Sequence, residues 1–488
     1  MSKGFDISEK KSKYFLDELS SHISNIPYDK YISKENLDAD CEYALISSDY
    51  SAEKNSEIIQ NDIDRISDAG GGILAIKPGK YCIRTIELKS NIVLWLSYGV
   101  ELIASGYDET QQFCNDKEAV IFAENAENIR LTGGGKINGN GEEFVLPAAE
   151  KHPFSPLEKF NTYERVIKAR KRIRFSKGGH RLHLVCFNAC KNLEIENITL
   201  YNSANWTCCI NECSEVNIRN TVIDNNIHTA NTDGIDIVSS QNVNIEKAFI
   251  ATADDGICIK TFTKPAYMIN IKDCEVISFA NCFKIGTETK SDIRKVYLSS
   301  SVFYMPRDIV GGYAGIAVES ADGANISDVH IKDIEMFGVS SVFLIWLGRR
   351  LRDTQNGPGS VKNIDIEKVY AYDIELPSAV TGCTFMDKEY CVQDLSLTDI
   401  HAYYRDTGEN LNIKYGVDEI SMSDYPEITR VSHIYRNPHE KSDYWDLPCY
   451  GIFLRNLDNI NFRRCETIPR KCNEREEIWN MDVKKHLL

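Results

Sequence analysis

The sequence predicts an all-β protein, a right-handed parallel β-helix in which short strands from successive coils stack along one axis. A strand pattern of apolar, any residue, apolar recurs along the chain and begins at Ile129, Leu193, Val216, Val243, Ile269, Val296, Val329, Ile364, Leu395 and Ile460. From Leu193 to Leu395 these starts are 23 to 35 residues apart, a spacing typical of solenoids. The segments between them show no strong helical period, which argues against a strand–helix repeat.

Polar turns containing Asn precede several of these strands, as at Asn192, Asn242, Asn363 and Asn459. Asn accepts left-handed backbone angles and hydrogen-bonds within its own turn, which suits a corner between two strands. The first and last gaps between strand starts are longer, at 64 and 65 residues. Each gap has room either for about two coils or for one coil with a large loop, and the sequence leaves both possibilities open.

The chain is expected to divide into an N-terminal helical arm or cap, residues 1–50, and a single β-helix catalytic domain, residues 51–488. Apolar residues at helical spacing predict an amphipathic helix over Ser8–Ile23 and a second helix over Asn55–Ser67. The second helix would cover the open first coil, where an unprotected edge invites aggregation. We expect the arm to pack on the main body, with a homo-oligomer contact or a lid over a cleft as the alternatives.

The net charge and composition of the chain limit the kinds of partner that it can bind. The chain has 488 residues and a net charge of −16, which argues against nucleic acid, whose phosphates call for basic grooves. The longest apolar stretch, around Ile92–Val100, is too short to span a membrane. The first residues lack the apolar segment of a secretory signal, so we expect a cytoplasmic protein. The 16 cysteines are irregularly spaced and are interpreted as buried thiols rather than a disulfide framework or a zinc site.

Two basic segments interrupt this acidic chain. Lys168–Arg181 is either a solvated loop or a rim that contacts an anionic or sugar substrate, and the sequence does not separate the two. Arg349 and Arg350 follow an apolar strand further along. They are candidates for a distal sugar-binding subsite, with a solvated pair as the alternative.

The chemistry centres on Asn231–Lys260, which holds Asp233 and the pair Asp254–Asp255. Each acidic cluster precedes Gly and a strand of alternating residues, and Asp233 and Asp254 are 21 residues apart, close to one coil. The carboxylates should therefore meet across one strand spacing of about 4.8 Å. Grouped acids suit glycoside hydrolysis, which needs one protonated carboxyl and ionised partners, and crowding raises the pKa of one member.

The motifs in this stretch resemble those of glycoside hydrolase family 28, the polygalacturonases and their relatives. Asn231-Thr232-Asp233 matches the Asn-Thr-Asp motif of that family, and Asp254-Asp255 matches its Asp-Asp motif. The resemblance covers roughly residues 70 to 370. It implies a right-handed β-helix and inverting hydrolysis, with Asp254 as general acid and with Asp233 and Asp255 activating the water.

Other family motifs are replaced. Asn281 stands where the family usually has His, and Ala317 and Glu319 stand where it has the Arg and Lys that hold the galacturonate carboxylate. A glutamate at that position repels a uronate and removes the cationic clamp. The residues expected to contact substrate are Asn231, Trp206, Lys260, Asn281, Lys284, Glu288 and Glu319. For Trp206, a sugar-stacking platform and core packing are the two alternatives. Lys260 either sets the local charge beside the acids or binds a sugar hydroxyl, with an ordinary exposed lysine as the alternative.

The sequence thus predicts an inverting, exo-acting glycoside hydrolase for pectin-related oligosaccharides other than plain polygalacturonate. The inserts 146–180 and 403–456 are long enough to close one end of a groove. No metal or other cofactor is expected. The alternatives are a lyase or epimerase on the same fold, which would need a metal or a strong cationic base, and a non-catalytic glycan-binding solenoid.

Overall fold

The computed structural model describes residues 26–35, 37, 41–113, 118–146, 176–227, 229–305, 314–349, 357–374, 377–404, 413–415, 444–446, 449–469, 476–483 and 486–487. Its α-helices are Tyr28–Tyr31, Ala52–Asp68 and Tyr107–Phe113, and a 3₁₀ turn covers Gly141–Phe144. No helix in the described segments is both long enough and apolar enough to cross a membrane.

The β-strands, in chain order, are Glu42–Tyr43, Gly72–Ile76, Gly79–Ile83, Ile86–Glu87, Ile92–Leu96, Val100–Ala104, Ala119–Glu124, Glu127–Thr132, Lys136–Asn138, His183–Asn188, Lys191–Tyr201, Cys208–Asn211, Ser214–Asp224, Ile235–Val238, Gln241–Thr252, Ile257–Thr261, Ala266–Lys272, Glu275–Ser278, Phe283–Thr289, Ile293–Tyr304, Ala314–Ser320, Asn325–Phe337, Ser341–Leu347, Ser360–Ile374, Ser378–Thr381, Cys383–Phe385, Lys388–Tyr390, Val392–Tyr404, Ile413–Tyr415, Tyr444–Asp446, Cys449–Arg463, Glu466–Pro469, Glu476–Val483 and His486–Leu487. Thirty of these described strands join in one network of parallel pairs. The protein is a right-handed parallel β-helix, as predicted.

The strand starts read from the sequence form one continuous stack. Leu193 lies between Ile129 on the preceding coil and Val216 on the following coil, and the same register continues coil by coil to Ile460. Ile129 pairs directly with Leu193, so each long gap is one coil with a large insertion rather than two coils. The stacked side chains are buried in the solenoid core, and each contributes about 1.5–3 kcal/mol of stability.

The Asn corners were predicted correctly. Asn192, Asn242, Asn363 and Asn459 all have positive φ, between 53° and 68°, one residue before a core strand position. Their side-chain amides also bond along the solenoid axis, as in the 2.8 Å hydrogen bond from Asn192 Nδ2 to Asn128 Oδ1. Each corner therefore satisfies backbone geometry and links neighbouring coils at the same time.

The helix Ala52–Asp68 caps the first coil, as the pattern over Asn55–Ser67 predicted. Ser51 accepts a hydrogen bond from the Lys54 N–H at 3.2 Å, which is the arrangement of a helix N-cap. Ile59 and Ile63 are fully buried against the first strands. The predicted helix Ser8–Ile23 lies outside the described residues.

Part of the N-terminal region packs on the outside of the solenoid. Tyr31 contacts Phe249, with ring centroids 5.9 Å apart, and Tyr28 donates a hydrogen bond to Asp224. The strand Glu42–Tyr43 joins the parallel network beside Leu74. The division of the chain at residue 50 stays a prediction.

The cysteines of the described segments are free thiols, most of them buried. Cys208 and Cys213 lie in the solenoid core, whereas Cys209 lies on the outer face of its strand. These three side chains do not converge, so they form no zinc site.

Candidate active site

One face of the β-helix carries the candidate site. On this face Ile235 and Ile237 point into the core, and Asp236 points outward between them. Asp236 pairs in register with Cys258 on the next coil, and Cys258 pairs with Lys284 on the coil after that. These outward side chains form the floor beside the acids.

The three predicted acids meet at the start of this sheet. The Gly234 N–H donates to the Asp255 backbone carbonyl at 2.9 Å. This bond places Asp233, which precedes Gly234, and Asp255 on neighbouring coils. One carboxylate oxygen from each of Asp233, Asp254 and Asp255 lies within 4.8 Å of the other two. The adjacency expected from the 21-residue offset is therefore present.

The glycine after each acidic cluster is required by the close approach of neighbouring coils. A Cβ at Gly234 would lie 2.3 Å from the Gly256 carbonyl oxygen, and a Cβ at Gly256 would lie 2.3 Å from Val276 Cγ1. A side chain at either position would push the coils apart. The Asp-Gly pattern thus lets the acidic turns stack at strand spacing.

The Asp254 carboxylate is the most exposed of the three and accepts two backbone hydrogen bonds. Its Oδ2 accepts from the Asn231 N–H at 3.2 Å, and its Oδ1 accepts from the Asp255 N–H at 3.0 Å. Burial raises the pKa of the Asp254 carboxyl well above its ordinary value, and the charges of Asp233 and Asp255 raise it further. Asp254 is therefore the carboxyl of this group best suited to hold a proton.

The other two aspartates each contact a lysine. Lys260 Nζ lies 3.1 Å from Asp233 Oδ2, and Lys284 Nζ lies 3.2 Å from Asp255 Oδ2. Burial raises the pKa of Asp233, and Lys260 opposes that rise. Because two of the three carboxylates already have ammonium counter-ions, we assign no metal to this site.

Asn281 lies on the coil that follows Asp255 and is fully buried. Its Nδ2 donates to Asp255 Oδ1 at 2.8 Å, and its backbone N–H reaches the same oxygen at 3.2 Å. Its Oδ1 accepts the Ala314 N–H at 3.1 Å. The substrate contact predicted for Asn281 stays a prediction, since the side chain bonds to other parts of the protein.

Trp206 lies between His183 and Lys260. The His183 ring stacks on the indole with centroids 5.2 Å apart, and Lys260 Nζ lies 3.8 Å from the indole centroid. His183 lies one coil before Trp206 and Lys260 two coils after it, so they cover opposite faces of the ring. Between a stacking platform and packing within the protein, this geometry favours packing.

The remaining predicted contacts lie further along the same face. Ala317 pairs in register with Lys284, and Glu319 is fully buried next to Gly286. Glu288 is partly exposed near the end of the strand Phe283–Thr289, within the electrostatic field of Lys260.

Sequence reasoning missed two contributors and left a third undecided. Asp236, which alternation placed outward, bonds Lys260 Nζ through Oδ1 at 2.7 Å. Burial lowers the pKa of His183 to about 4, which keeps its ring neutral above that pH. Arg181, at the end of the basic run, donates to Asn231 Oδ1 at 3.0 Å. Alternation was the available signal for Asp236, and no local pattern marked His183.

The second basic segment is only partly described. The Arg349 guanidinium lies 4.9 Å from the Phe385 ring centroid, whereas Arg350 lies outside the described residues. Residues 168–175 of the first basic run also lie outside them.

Comparison with known proteins places this geometry in a family. A polygalacturonase of Persea americana is 23% identical over 289 residues, which cover 59% of this chain and 48% of that protein. A hyperthermoactive exopolygalacturonase from Thermotoga maritima has 21% identity and a TM-score of 0.58, covering 81% of this chain and 91% of that chain. A family 28 exopolygalacturonase of Yersinia enterocolitica has 16% identity and a TM-score of 0.61, covering 93% and 79%.

These solved structures share the fold. The chain spans about half the length of the curated relatives it matches, from 48% to 56% of three plant polygalacturonases. Residues 97–375 match the family model described as "Glycosyl hydrolases family 28", and this match holds more than half of the chain, including the three acids and both lysines. The chain therefore belongs to glycosyl hydrolases family 28.

Proposed function

We propose that the protein hydrolyses a glycosidic bond in pectin-related oligosaccharides with inversion at the anomeric carbon. Asp254 is the general acid that protonates the leaving oxygen, and Asp233 and Asp255 activate the attacking water. The observation that carries this assignment is the unequal pairing of the acids. Asp233 and Asp255 each contact a lysine, whereas the contacts of the Asp254 carboxylate are two backbone N–H groups.

The unequal pairing separates the two chemical roles. A lysine at about 3 Å favours the ionised form of a carboxylate, which a base requires. Asp254, crowded by two anions, favours the protonated form, which an acid requires. General acid–base catalysis of this kind contributes about 10²–10⁴-fold to a rate.

The stereochemical part of the proposal needs its own test. Carboxyl groups are about 6.5–9.5 Å apart in inverting enzymes and about 5–5.5 Å apart in retaining enzymes. Here the 4.8 Å limit joins the nearest oxygen atoms of three carboxylates, so the rule for two carboxylates does not apply directly. Proton NMR of the first-formed product gives the answer: inversion appears as the anomer opposite to that of the substrate bond, and retention of configuration contradicts the proposal.

We propose further that the sugar beside Glu319 is not a bare galacturonate. Glu319 and Ala317 stand on the coil next to Lys284, and Lys284 is itself bonded to Asp255. A uronate placed there meets a carboxylate in a buried setting, and like-charge contacts of this type cost several kcal/mol. The three acids lie within the residues that match the family model, so the name of the polygalacturonase relatives supports the reaction type rather than the sugar.

Exo-action is the remaining part of the proposal. Arg181, which directly follows the insert 146–180, donates to the carbonyls of Ala204 and Ala230 and to Asn231 Oδ1. These bonds hold the end of the insert beside the acids, which supports a groove closed at one end. Chromatography of the early products from a long oligosaccharide distinguishes the modes, since exo-action releases a single small product from the start and endo-action gives products of many lengths.

The function is tested by incubating the protein with a panel of pectic oligosaccharides and following the released sugar. We expect turnover that survives a chelator and gives no ultraviolet absorbance from an unsaturated product. Such absorbance would instead show a lyase. No turnover on any glycan would contradict the catalytic assignment.

A further inference from the structure

A buried group of side chains beside the acids holds one cation in place. Lys260 is 4% exposed, and its Nζ lies 2.7 Å from Asp236 Oδ1, 3.1 Å from Asp233 Oδ2 and 3.8 Å from the Trp206 ring centroid. His183 covers the other face of Trp206. The Lys260 ammonium is thus held by the carboxylates of Asp236 and Asp233 and by the ring face of Trp206. Both carboxylates are buried and Trp206 is half-buried.

Asp236 has no other described role. It is fully buried, and within the described part of the chain its Oδ2 has no hydrogen-bond partner. A carboxylate with one oxygen unpaired in the interior is costly unless a nearby cation balances its charge. Lys260 supplies that balance, so the position of Lys260 and the presence of Asp236 depend on each other.

We infer that Asp236 and Trp206 are positioning residues that hold Lys260 against Asp233, and that Lys260 is an internal counter-ion that keeps Asp233 ionised rather than a contact for substrate. This inference rests on the proposed function for the role of Asp233. Trp206 contributes by placing its electron-rich face 3.8 Å from the ammonium, which attracts the cation.

The charges around Asp233 show why it needs a dedicated cation. Carboxylates of Asp236, Asp254 and Asp255 face it, and so do the cations Lys260, Lys284 and Arg181. Among these cations, Lys284 is bonded to Asp255 and Arg181 to carbonyls and Asn231. The pKa of the Lys260 ammonium lies well above its ordinary value, because Asp233 and Asp236 outweigh the opposing effect of burial. Lys260 therefore stays charged wherever Asp233 titrates.

The test compares Asp236→Asn with the double variant Lys260→Met/Asp236→Asn. Both lack Asp236, so they differ only in the cation, and neither leaves Lys260 or Asp236 as a buried charge without its balance. Lys332→Met, which removes an exposed lysine 3.5 Å from Glu367 on another strand, is the control for a Lys-to-Met change outside the site.

We expect the acidic limb of the kcat/KM–pH profile to move up by about one to three pH units in the double variant relative to Asp236→Asn. Below the limb, kcat/KM should fall about tenfold for every pH unit that the limb moves, with KM little changed. A raised KM with the limb in place would show that Lys260 binds substrate, and would overturn the inference. A smaller active fraction with an unmoved limb would show a merely structural role, and would overturn it equally.

A second measurement separates this inference from the proposed function. Without Lys260, the pKa of Asp233 in the folded protein rises further above its pKa in the unfolded chain. The folded state then binds a proton more tightly than the unfolded state. The free energy of unfolding therefore falls as pH rises from the unfolded pKa to the folded pKa. The double variant should therefore lose more unfolding free energy than Asp236→Asn between about pH 5 and pH 8. If the wild-type protein turns over no glycan, the proposed function fails. The counter-ion role is judged separately: if the unfolding free energies of the two variants change equally with pH, that role is refuted.

Discussion

Asn281 donates its side-chain amide to Asp255 Oδ1 at 2.8 Å while its own Oδ1 accepts the Ala314 N–H at 3.1 Å. The amide has both a donor and an acceptor, so one buried side chain links three successive coils at the site. Asn281 stands where the sequence motif led us to expect a histidine. The two hydrogen bonds from Asn281 orient the Asp255 carboxylate, which its proposed role in activating water requires.

Asn281→Leu should lower kcat about 10- to 100-fold. The change removes a donor from Asp255 and leaves the buried Ala314 N–H unpaired, which costs about 1–3 kcal/mol. Steady-state kinetics and thermal unfolding measure the two effects separately. Asn270→Leu, at an exposed position whose amide donates to Asn244 at 3.1 Å, is the matched control. Wild-type kcat in Asn281→Leu would show that the orientation of Asp255 does not depend on this amide.

Asp254→Asn should lower kcat by about 10²–10⁴-fold on natural glycosides and leave the fold intact. An asparagine keeps the shape of the side chain and an acceptor oxygen for one of the two N–H groups, those of Asn231 and Asp255, that bond Asp254. Circular dichroism and thermal unfolding confirm the fold. Near-wild-type turnover would contradict the role of Asp254 as acid.

The pH profile provides a sharper test of Asp254. Its pKa is raised by burial and by two anions, so the protonated acid persists above the ordinary pH range of an aspartate. In the wild type, kcat/KM should fall as pH rises through that raised pKa. On aryl glycosides whose leaving group needs no proton, Asp254→Asn should keep substantial activity and lose this descending limb. A limb that remains in the variant belongs to another group.

The strand period in the sequence predicted which residues stack on successive coils, but it did not predict contacts that depend on the direction of a side chain. The core stack from Ile129 to Ile460 follows from a strand period that can be counted, and the meeting of Asp233 with Asp255 follows from the same period. The contacts of Trp206 with His183 and Lys260 do not, because they depend on side-chain directions that the strand period does not determine.

Side-chain contacts between coils were the hardest to predict. The 50 positions from Arg181 to Asn231 equal two coils, but the strand period does not show that the guanidinium bonds the Asn231 amide. Asn281 was recognised as a replacement, but its bond to Asp255 depends on a rotamer that the sequence does not encode locally. Periodicity therefore places residues on the same face, and the packing of that face decides which of them bond.

Gly256→Ala tests whether the Asp-Gly pattern positions the acids. The new Cβ would lie 2.3 Å from Val276 Cγ1 and 2.5 Å from the Cys282 carbonyl oxygen, so the turn that carries Asp254 and Asp255 must move. We expect a loss of about 1–3 kcal/mol in unfolding free energy, with a fall in kcat beyond what the folded fraction explains.

Gly357→Ala is the control for that substitution. Its nearest neighbour would be the Tyr390 hydroxyl at 3.5 Å, an ordinary contact distance. Denaturant unfolding and kinetics on both variants separate a local displacement from a general effect of losing glycine. Equal behaviour of the two variants would show that close approach at Gly256 is not required.

Glu319→Gln tests the proposal that Glu319 disfavours a uronate in the site. The amide keeps the size of a fully buried side chain and removes its negative charge, so repulsion of a substrate carboxylate falls. We expect the ratio of kcat/KM for galacturonate-ended oligosaccharides to that for neutral-ended ones to rise about tenfold, a change of about 1.4 kcal/mol. Glu367→Gln, on another strand beside Lys332, controls for the loss of one negative charge from the chain. A ratio that stays constant in Glu319→Gln, or that rises equally in Glu367→Gln, would mean that another part of the cleft selects the sugar.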